Sequence, residues 1–126
     1  MRRVDITDAD WVQAKAELLD AMRQGARAGQ ALYYSELAAR VQAFPLSHRS
    51  RHLNDLLDEI AREHLEAAGC IVTAAVVRKS THSAQPGRRF FGLAHRLGLY
   101  SAGGEETPAE FASRQRKCAL TYLGRR

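Results

Sequence analysis

No carboxylate falls between Glu66 and Glu105, although the same stretch holds Arg78, Lys79, Arg88, Arg89 and Arg96. A second acid-free interval lies between Glu36 and Asp55 and contains Arg40, His48, Arg49, Arg51 and His52. In a chain of formal net charge +5 and pI near 9.7, two such gaps suit a polyanionic partner. Long apolar runs are also missing. Nothing approaches the roughly 18 consecutive apolar residues that a membrane span needs, so no membrane partner is expected. Met1-Arg2-Arg3 is basic but no apolar segment follows it, so no secretory signal is expected and cytoplasmic residence is the default. No repeat, low-complexity stretch or linker divides the 126 residues, and residues 1–126 should form a single domain.

Cysteine is scarce. Cys70 and Cys118 match no metal-ligand spacing; one disulfide remains open, but two free thiols are the simpler expectation for a cytoplasmic chain. His48 and His52 have the four-residue spacing of a helical metal pair, but local spacing indicates no third ligand, and exposed histidines are expected instead. Cys118 lies among Arg114, Arg116 and Lys117, which favour a thiolate, yet no base or orienting group accompanies it. Ser80-Thr81-His82 places a hydroxyl beside a histidine, which is not the geometry of a triad. The sequence therefore predicts neither an enzyme nor a cofactor or metal site.

What is present is a series of helix signals. Thr7-Asp8-Ala9-Asp10 reads as a capping box, followed by Trp11, Val12, Ala14, Leu18, Leu19 and Met22 at helical spacing, to about residue 25. Ala31-Leu32-Tyr33-Tyr34 reads as a short extended piece, and Ser35 as the cap of a second helix over 36–41. Pro45 ends that region. A third helix starts at Ser47 or Ser50, carries Leu53, Leu56, Leu57, Ile60 and Leu65 as its apolar stripe, and stops at Gly69. Residues 71–77, rich in β-branched side chains, predict a buried strand. Pro86-Gly87 predicts a turn before a partner strand at 88–91, giving a basic β-hairpin over 71–79 and 88–91. Leu93, Ala94 and Leu97 predict a short helix closed by Gly98. Thr107-Pro108-Ala109-Glu110 opens a last helix over about 108–123.

This order, with a helix and strand before two helices and a hairpin, matches a winged helix-turn-helix. The expected fold class is α+β: a winged-helix-like core over 31–99, an N-terminal helix behind it and an added C-terminal helix. Tyr34-Ser35-Glu36-Leu37-Ala38-Ala39-Arg40-Val41 resembles the opening of the first helix of the helix-turn-helix in the alkyltransferase-like domain, the DNA-binding half of O6-alkylguanine repair proteins. That family's reactive Pro-Cys-His-Arg motif is replaced here by Val72-Thr73-Ala74-Ala75, and Cys70 lies three positions too early. The resemblance implies a DNA-binding fold without alkyl transfer. Leu56-Leu57-Asp58-Glu59-Ile60, Val76-Val77-Arg78-Lys79 and Pro86-Gly87-Arg88-Arg89-Phe90-Phe91-Gly92-Leu93-Ala94 also resemble a group of small bacterial proteins of unassigned role, over residues 32–99. There the hairpin reads Pro-Gly-x-Gly-Phe, and Arg89 stands at the second glycine.

The functional expectation is a non-enzymatic module that binds nucleic acid, DNA first, through phosphate contacts. The residues expected to make them are Arg49, Arg51, Arg78, Lys79, Arg88 and Arg89. Asp55, Asp58, Glu59, Glu63 and Glu66 along the third helix oppose deep insertion into a groove, because they would meet phosphates of like charge. The alternative is a protein-interaction module or homodimer in which that acidic face meets a partner.

Overall fold

The computed structural model describes residues 6–47, 50–78, 88–101 and 103–125. Helices dominate it, with a single two-stranded parallel sheet among the described residues, an α+β arrangement. Helix α1 (Asp8–Arg27) begins as its sequence predicts: the Thr7 hydroxyl accepts the Asp10 N–H at 3.0 Å and the Asp10 carboxylate accepts the Thr7 N–H at 3.3 Å. Its inner face buries Trp11, Ala14, Leu18, Ala21 and Met22. Strand β1 (Leu32–Tyr33) leads directly into α2 (Tyr34–Ala39). Here Tyr33, not Ser35, is the capping position, and the Glu36 carboxylate accepts its N–H at 2.9 Å.

Helix α3 (Arg51–Ala68) is capped by Ser50, whose hydroxyl accepts the His52 N–H at 3.0 Å. Leu53, Leu56, Leu57 and Ile60 face the core, and Gly69 ends the helix at φ +72°, a left-handed conformation that a side chain would strain. Full burial of a side chain such as Leu18, Leu53 or Phe111 stabilises the fold by about 1.5–3 kcal/mol.

Two expectations are corrected in the next segments. Residues 71–77 do not form one strand: Val72–Ala75 is a 3-10 turn, and only Val76–Val77 is strand (β2). Every residue from Cys70 to Val77 is buried, so the sequence carries no alternation from which a backbone period could be read. Strand β2 pairs in parallel with β1, Leu32 opposite Val76 and Tyr33 opposite Val77. Residues 88–91 are not the second strand of a hairpin. They open helix α4 (Arg88–Arg96), because Phe90, Leu93, Ala94 and Leu97 recur at helical spacing and pack inward. The intervening residues 79–87 lie outside the described residues.

Helix α5 (Pro108–Leu123) has the capping box its sequence predicts. The Thr107 hydroxyl accepts the Glu110 N–H at 3.1 Å and the Glu110 carboxylate accepts the Thr107 N–H at 2.9 Å. α5 lies chiefly against the buried segment after α3 and against α1. Phe111 anchors it in a cluster with Phe90, Phe91 and Tyr100, whose ring centroids lie 5.9, 6.5 and 4.8 Å from its own. Cys70 and Cys118 are joined by a disulfide, with Cα atoms 6.3 Å apart, where two free thiols were the simpler expectation. Sequence separation gave no hint that α5 would lie over the end of α3. A disulfide is also a weaker match to the reducing compartment that the sequence suggested.

Candidate nucleic-acid interface

Four of the six cations expected to meet phosphate are described. Arg51 is the first residue of α3, Arg78 follows β2, and Arg88 opens α4; all three are exposed, and among the described residues none of them is held in an ion pair. Arg49 and Lys79 lie outside the described residues.

Arg89 has a different role. Its guanidinium donates to the Asp58 carboxylate at 3.2 Å and stands 3.7 Å from Asp55. From the next turns of α4, Arg96 approaches the same Asp58 oxygen at 3.9 Å. These contacts dock the start of α4 on the first two turns of α3. Arg51 and Arg88, 37 positions apart in the chain, thus begin two helices that Arg89 and Arg96 link through Asp55 and Asp58. Arg88 and Arg89 were expected on a strand of a hairpin; they stand instead at the start of a helix.

The acidic stripe of α3 is met from its other side by α1. Lys15 is 2.5 Å from Glu63 and 3.3 Å from Glu59, and the Trp11 indole N–H donates to both Glu59 oxygens at 3.0 and 3.1 Å. The hydrogen bond that Lys15 donates to Glu63 is the main cause that raises the Lys15 pKa above its ordinary value, with desolvation acting against it. Asp55, Asp58, Glu59 and Glu63 thus each have a cation of the same molecule beside them. Half-exposed pairs of this kind contribute little stability, about 0.2–1 kcal/mol each, but they remove four bare carboxylates from the helix face.

Sequence reasoning missed the use of Arg96 and Lys15. The spacing of Arg89 and Arg96, two helical turns apart, was the available signal, and it is legible only once 88–96 is taken as helix. His52 packs edge-on against Trp11 and Phe44, with centroids at 5.9 and 6.2 Å, so it belongs to an aromatic cluster. Among the described residues no group of three His, Cys, Asp or Glu is placed to hold a metal ion. Nor is any helix there long and apolar enough to cross a membrane.

A second basic surface, not expected as a site, runs along α5. Arg114, Lys117, Cys118, Thr121 and Arg125 line an open cavity of about 310 Å³ that reaches Ala68 at the end of α3. Arg114 is engaged there by Glu106 through two hydrogen bonds of 2.9 and 3.0 Å, which hold the Glu106 carboxyl below and the Arg114 guanidinium above their ordinary pKa values. The Tyr122 hydroxyl and His64 Nδ1 share a hydrogen bond of 2.8 Å behind it. Compared with protein families, with curated proteins and with solved structures, the chain has no match.

Proposed function

We propose that the chain is a non-enzymatic nucleic-acid-binding module that meets the phosphate backbone of DNA through Arg51, Arg78 and Arg88. The observation that carries this reading is the Arg89 link between α4 and the first turns of α3, which ties together the two helices that Arg51 and Arg88 begin. Both are exposed, and neither is ion-paired among the described residues. α3 has no acid in its first turn, so its positive dipole end reinforces the attraction for an anion. The neutralised stripe of Asp55, Asp58, Glu59 and Glu63 removes much of the repulsion that bare carboxylates would exert on a nearby backbone. In the chain, Arg49 and Lys79 adjoin Arg51 and Arg78 and extend the same cationic set.

The geometry favours contact with the backbone over readout in a groove. The connection from α2 to α3 covers residues 40–50, longer than the three- to four-residue turn of a tight helix-turn-helix. The second strand expected of a wing is replaced by α4, which begins at Arg88. Self-association through the acidic α3 face is the weaker reading, because Asp55, Asp58, Glu59 and Glu63, four of its five carboxylates, are already engaged by Lys15, Arg89 and Arg96.

Fluorescence anisotropy of a random duplex at low and moderate salt tests the proposal. Affinity should fall as salt rises, with the log–log slope reduced by about one for each phosphate contact removed by charge reversal at Arg51 or Arg88. Binding indifferent to salt, or no tighter than about millimolar at low salt where even non-specific binders do better, would refute it.

A further inference from the structure

Cys70 and Cys118 share one disulfide, but their two sulfurs face different surroundings. Cys70 is 2% exposed. Cys118 is only half-buried and forms part of the wall of the α5 cavity, which Cys70 does not line. On α5 the positions 114, 118 and 121 follow at helical spacing, with Lys117 beside Cys118; Arg125, just past the helix end, and Arg114, which Glu106 engages, line the same cavity. Lys117 and Arg125 are exposed and, among the described residues, carry no ion pair. At about 310 Å³ the cavity is at the low end of the range for small-molecule sites.

We infer that Cys118 is a thiolation site for a small thiol bearing a negative charge. The thiol's own thiolate enters the cationic cavity and attacks Sγ of Cys118. A new S–S bond forms between ligand and Cys118 as the Cys118–Cys70 bond breaks. The electron pair leaves on the Cys70 sulfur, which then takes a proton from solvent. One disulfide is exchanged for another, so the only co-reactant is the thiol itself, oxidised into the mixed disulfide while Cys70 is reduced. Attack in the opposite sense is blocked, because the Cys70 sulfur is enclosed by the core. A second thiolate attacking the ligand sulfur releases the ligand as its symmetric disulfide and leaves Cys118 reduced. This inference is independent of the nucleic-acid reading, which uses other residues.

The test incubates the intact oxidised protein with 3-mercaptopropionate, 2-mercaptoethanol or cysteamine, whose tails are anionic, neutral and cationic. Each rate is divided by that of the same thiol on a small neutral disulfide, which cancels intrinsic nucleophilicity, and the adduct is placed by peptide mass spectrometry. The adduct is expected on Cys118 with Cys70 free. The anionic thiol should be favoured over the cationic one roughly five- to tenfold at low salt. High salt should shrink the preference, and a Lys117→Glu, Arg125→Glu double variant should abolish or reverse it. Three results would each overturn the assignment: an adduct on Cys70, equal normalised rates for the three thiols, or reaction only when the protein is unfolded. The double variant alters two exposed side chains, and a circular-dichroism spectrum like that of the parent shows that it has folded.

Discussion

The side-chain carbonyl of Gln115 accepts the backbone N–H of Ile71 at 2.8 Å, and both residues are buried. The 3-10 turn that follows Ile71 bonds within itself, with the Ala74 N–H on the Ile71 carbonyl at 3.1 Å, and so supplies no acceptor for the Ile71 N–H. Gln115 replaces the ladder partner that a regular strand would have provided. Gln115→Leu conserves volume approximately and strands a buried donor, so it should cost roughly 1–3 kcal/mol in chemical denaturation. A loss below about half a kcal/mol, the scale of a neutral surface change, would show that the N–H finds another acceptor.

The Cys70–Cys118 link closes a span of 48 positions. On the chain-entropy account a loop of this size restricts the unfolded state by about 4 kcal/mol, an upper figure because native strain and residual structure reduce it. Cys70→Ser with Cys118→Ser should therefore unfold at markedly lower denaturant concentration than the oxidised parent, and reductant should shift the parent and not the variant. Identical midpoints with and without reductant would mean that the bond does not form in solution.

Arg89 separates the structural cations from those assigned to phosphate. Arg89→Ala removes the pairs with Asp55 and Asp58 and should cost about 0.2–1 kcal/mol of stability. It should weaken duplex binding only slightly, whereas Arg51→Glu with Arg88→Glu should weaken binding strongly at little cost in stability. If Arg89→Ala instead abolishes binding in a protein of unchanged melting temperature, Arg89 itself contacts phosphate.

The pH dependence follows from two exposed pairs of opposite sign. Lys15 has its pKa raised above 10.5, chiefly by the Glu63 hydrogen bond, so its contribution is complete below that pH and is lost as pH rises through the folded value. Glu106 has its pKa lowered below 4.5, chiefly by the Arg114 hydrogen bond, so its contribution is complete above that pH and is lost as pH falls through the folded value. Glu106→Gln should therefore be less stable than the parent at neutral pH, and the two curves should merge in strong acid. Lys15→Met should merge with the parent only at the alkaline end. A gap between parent and Glu106→Gln that persists in strong acid would show that the Glu106–Arg114 pair is not its cause.

The helices were legible where the sequence carries both a cap and a period. Thr7 with Asp10, Ser50 with the Leu53–Ile60 stripe, and Thr107 with Glu110 each mark an element that the structure contains. The failures have distinct physical causes. From Cys70 to Val77 every side chain is buried, so a run of Val, Thr and Ala reads alike as strand or as turn. At 88–91, the Pro-Gly pair before two arginines imitated a hairpin turn, while the helical recurrence of Phe90, Leu93, Ala94 and Leu97 pointed to α4. The Cys70–Cys118 bond and the cavity beside it depend on α5 lying over the end of α3. The Gln115 hydrogen bond depends on α5 lying over the segment that follows. Neither placement has a local signal.

Both sulfurs of the disulfide lie near a single backbone oxygen, the carbonyl of Ala68, at 3.7 Å from Cys70 and 3.4 Å from Cys118. An acceptor is thus already in place for whichever thiol forms on reduction, and no sulfur–hydrogen donor need be left stranded in the interior. The same main-chain path can serve both oxidation levels. As a covalent tie between α5 and the segment after α3, the link adds to the packing that already holds these two parts of the chain together.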